Sequence, residues 1–170
     1  MLIFEGLLSI GFVKAYSLGD LFTYFFKTKE RALDKPTRTL PQPTPETQHF
    51  WDGTQTEQLL LQRCTDCDHI YFPPRPFCPS CSSRSVEVYA ASGRATLASY
   101  VINQGPHPAF DGPYAIALVD LEEGPRMMTN IVECAQTPEA LQLDMALEVR
   151  FEQVSENINL PLFAPAGASK

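Results

Sequence analysis

Four cysteines form the pattern in this sequence that most strongly indicates a specific chemistry. Cys64 and Cys67 make one C-x-x-C pair, and Cys78 and Cys81 make a second pair after ten intervening residues. Two such turns supply four thiolates, which suit the tetrahedral coordination of zinc and leave no position open for water. The spacing therefore predicts one closed, structural zinc site. Iron in a rubredoxin-like site, which would make the protein an electron carrier, uses the same ligand pattern.

The residues next to these cysteines bear on the geometry of the predicted site. Metal-binding knuckles often carry glycine after the second cysteine, where φ is positive, but Asp68 and Ser82 occupy those positions here. Asp tolerates a left-handed backbone better than Ser does, so we expect the second knuckle to be the less ideal one. His69 adjoins the first knuckle, and we interpret it as a residue outside the ligand set because four cysteines already fill the site.

The other chemistry-bearing residues do not form a recognisable catalytic set. The sequence contains no G-x-S-x-G nucleophile motif and no visible Ser-His-Asp set. The histidines other than His69 lie in a predicted short helix (His49) and in a predicted loop (His107). Cys134 stands alone at a predicted strand end and is interpreted as a half-buried core thiol. We predict no catalytic residue in this chain.

Short elements surround the cysteines. Residues 34–45 hold four prolines in twelve residues, which favours an extended linker. A threonine followed by a proline at the end of this linker predicts a short helix over residues 45–52, with Gly53 as its stop. Phe50 and Trp51 are its apolar anchor, either on the core of this chain or in a partner.

The rest of the chain predicts β-structure. Residues 104–113 form a loop rich in turn formers, and residues 138–141 form at most one helical turn. The predicted strands are 59–64, its return within 69–78, 86–92, 95–104, 114–122, 126–134, 146–154 and 160–165. The last five suit a five-stranded Greek-key barrel. The predicted fold class is mainly β, with a rubredoxin-like zinc ribbon, a five-stranded OB-fold barrel and short N-terminal helices.

The N-terminal segment is apolar, but its charges argue against a membrane span. Glu5, Lys14 and Asp20 divide residues 1–26 into pieces shorter than the roughly 20 apolar residues that a span requires. No positive charge precedes the apolar run, as a signal peptide would need. We expect either a docking helix over residues 18–32 or an upstream extension that is not part of the ordered domain, and no membrane span. With the paired C-x-x-C motifs, which indicate a reducing compartment, this predicts a cytoplasmic location.

Charge separates the candidate functions. The net charge is −7, and residues 1–36 hold four acids and five bases, so the other 134 residues carry a net charge of −8. Zinc ribbons and OB-folds often bind nucleic acid, but single-strand binders need a basic groove with interleaved aromatics. The few arginines after residue 36 are scattered and form no stripe. A nucleic-acid-binding module is therefore the alternative, less favoured function for this chain.

Four stretches carry a resemblance to a known family. They are TPETQHFWDG (44–53), LLLQRCTDCDHIYFPPRPFCPSC (59–81), ASGRATLASY (91–100) and HPAFDGPYAIALVDLEEGPRMMTNIVE (107–133). In order and spacing they resemble the acyl-CoA-associated accessory proteins that join a rubredoxin-like zinc ribbon to an OB-fold. The resemblance covers roughly residues 40–165. It divides the chain into an N-terminal helical extension and linker (1–43), a short helix and zinc ribbon (44–90), an OB-fold (91–165) and a tail (166–170).

The resemblance implies a function. Members of this family are non-catalytic accessory subunits that help to hold a coenzyme A thioester for a thiolase-like, aldolase or hydratase partner. The zinc ligands carry over to Cys64, Cys67, Cys78 and Cys81, and the PHPAF-like loop carries over to residues 106–110. Loop placement then nominates the acyl-CoA contacts as Arg75, His107, Phe110 and Tyr114. Arg75 is equally suited to be a solvated loop arginine, and the two aromatics to be rim residues of the barrel. A partner enzyme or a second copy of the chain, in a homo-oligomer, could cover the apolar N-terminal helix.

Overall fold

A computed structural model describes residues 39–167. The expected helix over residues 18–32 and the apolar stretch 1–26 lie outside these residues. Within the described part of the chain, no helix is long and apolar enough to cross a membrane. The described fold is mainly β, as the sequence predicts, with one short helix, a three-stranded ribbon and a closed five-stranded barrel.

The first element is helix α1 (Gln48–Gln55), which differs from the predicted helix over 45–52 at both ends. Residues 45–47 form a turn, because the Thr47 N–H bonds back to the Thr44 carbonyl at 2.9 Å. Gly53 lies inside α1 and is not its stop. A Cβ on Gly53 would come within 2.6 Å of the Leu60 side chain, so the glycine permits close approach of helix and strand. Glu57, with φ of 56°, turns the chain after the helix.

The ribbon is an antiparallel sheet with the strand order β2-β1-β3. Its strands are β1 (Leu60–Cys64), β2 (Ile70–Tyr71) and β3 (Val86–Ala90). Only two residues of the predicted return over 69–78 pair as strand. The reason is that Pro73, Pro74 and Pro76 lack the N–H that a ladder requires.

The barrel contains the last five strands in the order β4-β5-β6-β8-β7, and β7 pairs with β4 to close it. They are β4 (Arg94–Asn103), β5 (Tyr114–Leu121), β6 (Arg126–Ile131), β7 (Ala146–Ser155) and β8 (Ile158–Pro165). All pairs are antiparallel except β6 with β8. β6 ends before the predicted residue 134, since Glu133 takes a φ of 58°. Residues 138–140 form a turn.

One hydrophobic core joins the helix, the ribbon and the barrel. Alternate residues of β5 point inward, and Leu97 and Phe163 fill the barrel centre. Leu59 and Leu61 from the ribbon and Phe50 from α1 belong to the same buried cluster. Phe50 is only 3% exposed, so it anchors α1 on the core of this chain and is not available to a partner. This shared core fixes the ribbon against the barrel.

Candidate functional site

The four predicted metal ligands converge at the tip of the ribbon. All four sulfurs lie within 4.8 Å of one another. Cys64 Sγ is 3.6 Å from Cys81 Sγ, and Cys67 Sγ is 3.7 Å from Cys78 Sγ. Four sulfurs bound to one zinc ion at about 2.3 Å would stand roughly 3.8 Å apart at tetrahedral corners. The cluster therefore has the size and the donor set that a tetrahedral thiolate site requires.

The backbone builds the two knuckles in the same way. The Asp68 N–H donates to the Cys64 carbonyl, and the Ser82 N–H donates to the Cys78 carbonyl, both at 2.9 Å. Asp68 has φ of 57° and Ser82 has φ of 63°, so both residues adopt the left-handed conformation that glycine often supplies. The second knuckle was expected to be less ideal, but its backbone matches the first. Backbone hydrogen bonds, and not glycine, set this geometry.

The thiols of the cluster have unequal proton affinities. Burial raises the pKa of Cys78, but the backbone N–H groups of Cys81 and Ser80 and the neighbouring thiols bring it down to about 7. A backbone hydrogen bond at His69 lowers the pKa of Cys67, yet hydrogen bonds to the other thiols, Cys81 foremost, raise it to about 12. Four adjacent thiolates repel one another unless a cation stands among them. A divalent metal supplies that charge.

Tyr71 and His69 lie beside the cluster. Tyr71 is buried and packs with Cys64 and Cys78. The imidazole of His69 stacks on Tyr71 with ring centroids 5.9 Å apart. His69 is exposed, and its carbonyl accepts the Cys64 N–H at 3.0 Å. The converging group consists of the four cysteines, and His69 contributes to the ribbon through its backbone and its ring.

Arg75 lies in the proline-rich loop between β2 and the second knuckle. Its N–H donates to the buried Gln62 Oε1 at 2.7 Å, which ties this loop to β1. Its side chain is exposed. The role of Gln62 was not predicted from the sequence. Gln62 follows three leucines in the predicted strand 59–64, and this polar position was the available signal.

His107, Phe110 and Tyr114 form one aromatic cluster at the loop between β4 and β5. The Phe110 and Tyr114 rings stack at 3.7 Å with an interplanar angle of 8°. The ring of His107 lies 5.4 Å from Phe110 and 5.6 Å from Tyr114, centroid to centroid. The Phe110 N–H donates to the His107 carbonyl at 3.0 Å and closes the turn between them. The structure thus brings three of the four nominated residues together.

Asn103 fixes this aromatic loop at its base. Its Nδ2 donates to the Tyr114 hydroxyl at 2.8 Å, and its Oδ1 accepts the Gly105 N–H at 3.0 Å. One side chain therefore joins the start of the loop to its end. Within the loop, His107 Nδ1 accepts the Ala109 N–H at 3.1 Å. A neutral His107 consequently carries its proton on Nε2, which is left as a donor.

A surface groove of about 370 Å³ begins at Phe110 and runs over β6, β7 and β8. Its side chains are mixed in character. The lining residues are Phe110, Asn130, Val132, Glu133, Arg150, Phe151, Glu152 and Leu162. Arg150 forms ion pairs with Glu133 at 3.3 Å and with Glu148 at 3.4 Å. The groove is therefore apolar along much of its wall, and acidic groups outnumber basic groups on it.

Cys134 lies apart from the four clustered thiols. It is half-buried, packs against the main core, and burial raises the pKa of its thiol. Gln136 Nε2 donates to the Cys134 carbonyl at 3.0 Å. The prediction of a half-buried core thiol is confirmed.

Family models match most of the described chain. Residues 51–87 match a model described as the rubredoxin-like zinc ribbon domain of ChsH2, and residues 88–152 match its C-terminal OB-fold domain. A DUF35 domain-containing scaffold protein of Pyrococcus furiosus is 30% identical over 109 residues, which cover 63% of this chain and 79% of that protein.

Two further relatives carry enzyme names. A probable enoyl-CoA hydratase alpha subunit of Thermomonospora curvata is 34% identical over 143 residues, which are 82% of this chain. The chain spans only 44% of the length of that relative. A solved chain titled Ltp2-ChsH2(DUF35) aldolase superposes with a TM-score of 0.67 and 32% identity, over 75% of this chain and 99% of that chain.

Proposed function

Because the chain belongs to the family in which a ChsH2-type zinc ribbon precedes an OB-fold, we propose that it is a non-catalytic scaffold subunit of an acyl-CoA-processing enzyme. In this proposal the chain holds a coenzyme A thioester, and an aldolase, hydratase or thiolase-like partner performs the chemistry. The observation that carries the proposal is the 32% identity over 99% of the solved chain of the Ltp2-ChsH2(DUF35) aldolase. The names of the hydratase alpha subunit and of the scaffold relative support the same class.

Zinc has a structural role in this proposal. The four thiolates close the coordination sphere, so the metal has no open position for a water or a substrate. Its contribution is to fold the ribbon tip and to fix the loops that emerge from it. The loop of Arg75 lies directly before the second knuckle, so the metal positions that loop.

The aromatic loop is the proposed contact for the coenzyme A part of the ligand. Phe110 and Tyr114 offer flat apolar surface, and the Nε2–H of His107 offers a donor beside it. Asn103 holds the loop in place before a ligand arrives, which lowers the ordering cost of binding. Arg75 is the proposed partner of a coenzyme A phosphate, since its guanidinium is exposed on the ribbon.

Charge indicates which part of a thioester the groove beside Phe110 can take. Glu133 and Glu152 line it together with Arg150, and Arg150 is paired with Glu133 and Glu148. A surface with this excess of carboxylates disfavours the phosphate-bearing end of coenzyme A. The uncharged pantetheine arm or acyl chain suits its apolar wall. The phosphates are therefore proposed to lie toward Arg75, away from the groove.

The charge distribution also weighs against the nucleic-acid alternative. Of the six arginines in the described residues, four pair with carboxylates: Arg63, Arg94, Arg126 and Arg150. Paired arginines make a poor phosphate-binding stripe, and the chain as a whole carries a net charge of −7. A scaffold that meets one coenzyme A needs far fewer free cations than a nucleic-acid groove does.

Co-expression tests the proposed partnership. The full chain, carrying an affinity tag, is expressed with a candidate aldolase, hydratase or thiolase-like enzyme from the same genome. We expect the enzyme to copurify in a fixed stoichiometry and to remain bound through size-exclusion chromatography. Separate elution of the two proteins at micromolar concentration would contradict the scaffold assignment.

Calorimetry with an acyl-CoA tests the ligand contacts on the purified complex. Phe110→Ala combined with Tyr114→Ala should weaken binding about tenfold or more, because it removes the stacked surface, while the zinc content stays unchanged. Arg75→Ala should weaken binding of acyl-CoA more than binding of the matching acyl-pantetheine, which has no phosphates. Arg84→Ala, at another exposed arginine of the ribbon, is the matched control. Unchanged affinity in both test variants would exclude this ligand site.

A further inference from the structure

The outer surface of the barrel carries two large apolar side chains that are strongly exposed. Val101 of β4 is 60% exposed and Met128 of β6 is 71% exposed. The other large apolar side chains on the described barrel strands are buried or half-buried, so these two are exceptional there. Neither residue contributes to the zinc site or to the aromatic loop. Packing in the barrel core does not account for the exposure of Val101 and Met128.

The strand register places both residues on one continuous face. Val101 is directly opposite Ile116 of β5, and Leu118 of β5 is directly opposite Met128. Directly opposed residues point to the same side of a sheet, so these four side chains form one patch. Ile116 and Leu118 are half-buried. We name this patch of Val101, Ile116, Leu118 and Met128 the apolar sheet face.

The apolar sheet face has the composition of an interface centre. Ser99, directly opposite Leu118, and Asn130, directly opposite Ile116, adjoin it and are also uncharged, although 19% of the chain is charged. At one end of β5 and β6, Asp120 accepts hydrogen bonds from Arg126 at 2.6 and 2.8 Å, so the nearest charges on these strands neutralise each other. Protein interfaces have such an anatomy, with a charge-depleted centre rich in Met and aromatic residues and a polar rim.

The apolar sheet face is continuous with the ligand site of the proposed function. Tyr114 lies two residues before Ile116 on β5, on the same outward side, and stacks with Phe110. Asn130 is directly opposite Ile116 and also lines the groove. A protein that covers this face therefore reaches both the aromatic loop and the groove.

Because the apolar sheet face adjoins the ligand site, a partner enzyme is favoured over a second copy of this chain as the protein that covers it. A partner enzyme must bring its catalytic residues to the thioester, so its surface has to lie beside the residues that hold the ligand. A second copy of this chain, joined across a two-fold axis, would place the same patch and the adjoining ligand loop of both copies in the contact. It would then cover the thioester sites and leave no room for an enzyme.

We propose that the apolar sheet face is the surface through which the partner enzyme docks on this chain. This inference rests on the proposed function, because it takes the existence of a partner enzyme from there. The contact lies on strands β4, β5 and β6, and Val101 and Met128 are its central anchors.

The experiment compares charged variants in the co-expressed complex. Val101→Glu combined with Met128→Glu should weaken the complex at least about tenfold in a titration by biolayer interferometry, since it places two charges in a desolvated contact. Leu143→Glu is the matched control, because Leu143 is also 60% exposed but lies in a turn before β7. The control should bind the enzyme as the wild type does. Zinc content and the thermal unfolding midpoint of each variant establish that the fold is intact.

The possible outcomes separate the two proposals. If the wild-type chain and enzyme never associate, the proposed function fails, and this docking surface fails with it. If the wild type associates and the doubly charged variant associates equally well, only the docking surface is wrong. If light scattering shows that the chain alone is a dimer that the double variant dissociates, the face binds a second copy, which also overturns the inference. A milder pair, Val101→Ser with Met128→Ser, should weaken the complex in the same direction if the charged pair fails to fold.

Discussion

Removal of one zinc ligand should destabilise the barrel as well as the ribbon. Cys78→Ser replaces a buried thiolate of the cluster with a hydroxyl, which zinc binds poorly. The ribbon tip then loses the metal that organises it, because binding of structural zinc is itself folding free energy. Because the ribbon and the barrel share one hydrophobic core, disorder of the ribbon also removes packing contacts from the barrel.

The buried residues at the junction set the size of this effect. Phe50, Leu59 and Leu61 are each at most 3% exposed and belong to the same cluster as the barrel core. Burial of one such side chain contributes about 1.5–3 kcal/mol to the free energy of unfolding. Disorder of α1 and β1 would expose all three side chains, which gives an upper estimate of roughly 5–9 kcal/mol for the lost stability. A domain is stable by about 5–15 kcal/mol in total. We therefore expect Cys78→Ser to unfold most of the described domain at ambient temperature.

Urea unfolding followed by circular dichroism, with metal analysis of the same samples, measures this effect. The matched control is Cys134→Ser, which changes a half-buried thiol outside the cluster. It should keep one zinc ion per chain and lose no more than about 1–2 kcal/mol of stability. A Cys78→Ser protein that keeps a barrel transition at the wild-type urea midpoint would refute the shared-core reasoning. Stoichiometric iron and a red colour in the wild type would refute zinc.

Three further predictions concern the junction, the loop and the surface charge. Gly53→Ala should lower the urea midpoint, because overpacking against Leu60 costs about 1–3 kcal/mol. This cost outweighs the gain in helix propensity, which is about 1 kcal/mol. A raised midpoint would contradict the close approach of α1 to Leu60. Asn103→Ala removes the hydrogen bonds to Tyr114 and Gly105, so calorimetry should find acyl-CoA binding several-fold weaker. The same change should lower the free energy of unfolding by about 1 kcal/mol. Unchanged affinity would show that ligand binding does not depend on these hydrogen bonds. Because the net charge is −7, fluorescence anisotropy should detect no binding of single-stranded DNA or RNA at physiological salt. Submicromolar, salt-sensitive binding would favour the nucleic-acid-binding function instead.

The sequence predicts the strands well because their signals are local. An apolar run after the turn formers of residues 104–113 predicts a strand over 114–122, and the structure has this strand at Tyr114–Leu121. The doubled C-x-x-C motif likewise predicts a convergence of sulfurs that depends on short-range geometry. The helix boundaries were predicted less well. The requirement for glycine at position 53 comes from Leu60, a contact that only the folded chain creates.

The ligand site is only partly readable from the sequence. Loop membership suffices to nominate His107 and Phe110, and the contact of both rings with Tyr114 follows from the turn that closes the loop. The supporting role of Asn103 was missed, because a single asparagine at a strand end has no distinctive pattern. The apolar sheet face was also missed. Its residues come from three strands, and only the register of β4, β5 and β6 brings them together.

Turnover of an acyl-CoA substrate is the measurement that tests the scaffold assignment most directly. The full chain alone, the partner enzyme alone and their co-expressed complex are assayed at equal molar protein concentration. The assignment predicts no turnover by the chain alone and higher kcat/KM for the complex than for the enzyme alone. Acyl transfer, hydration or carbon–carbon cleavage by the isolated, partner-free chain would contradict it.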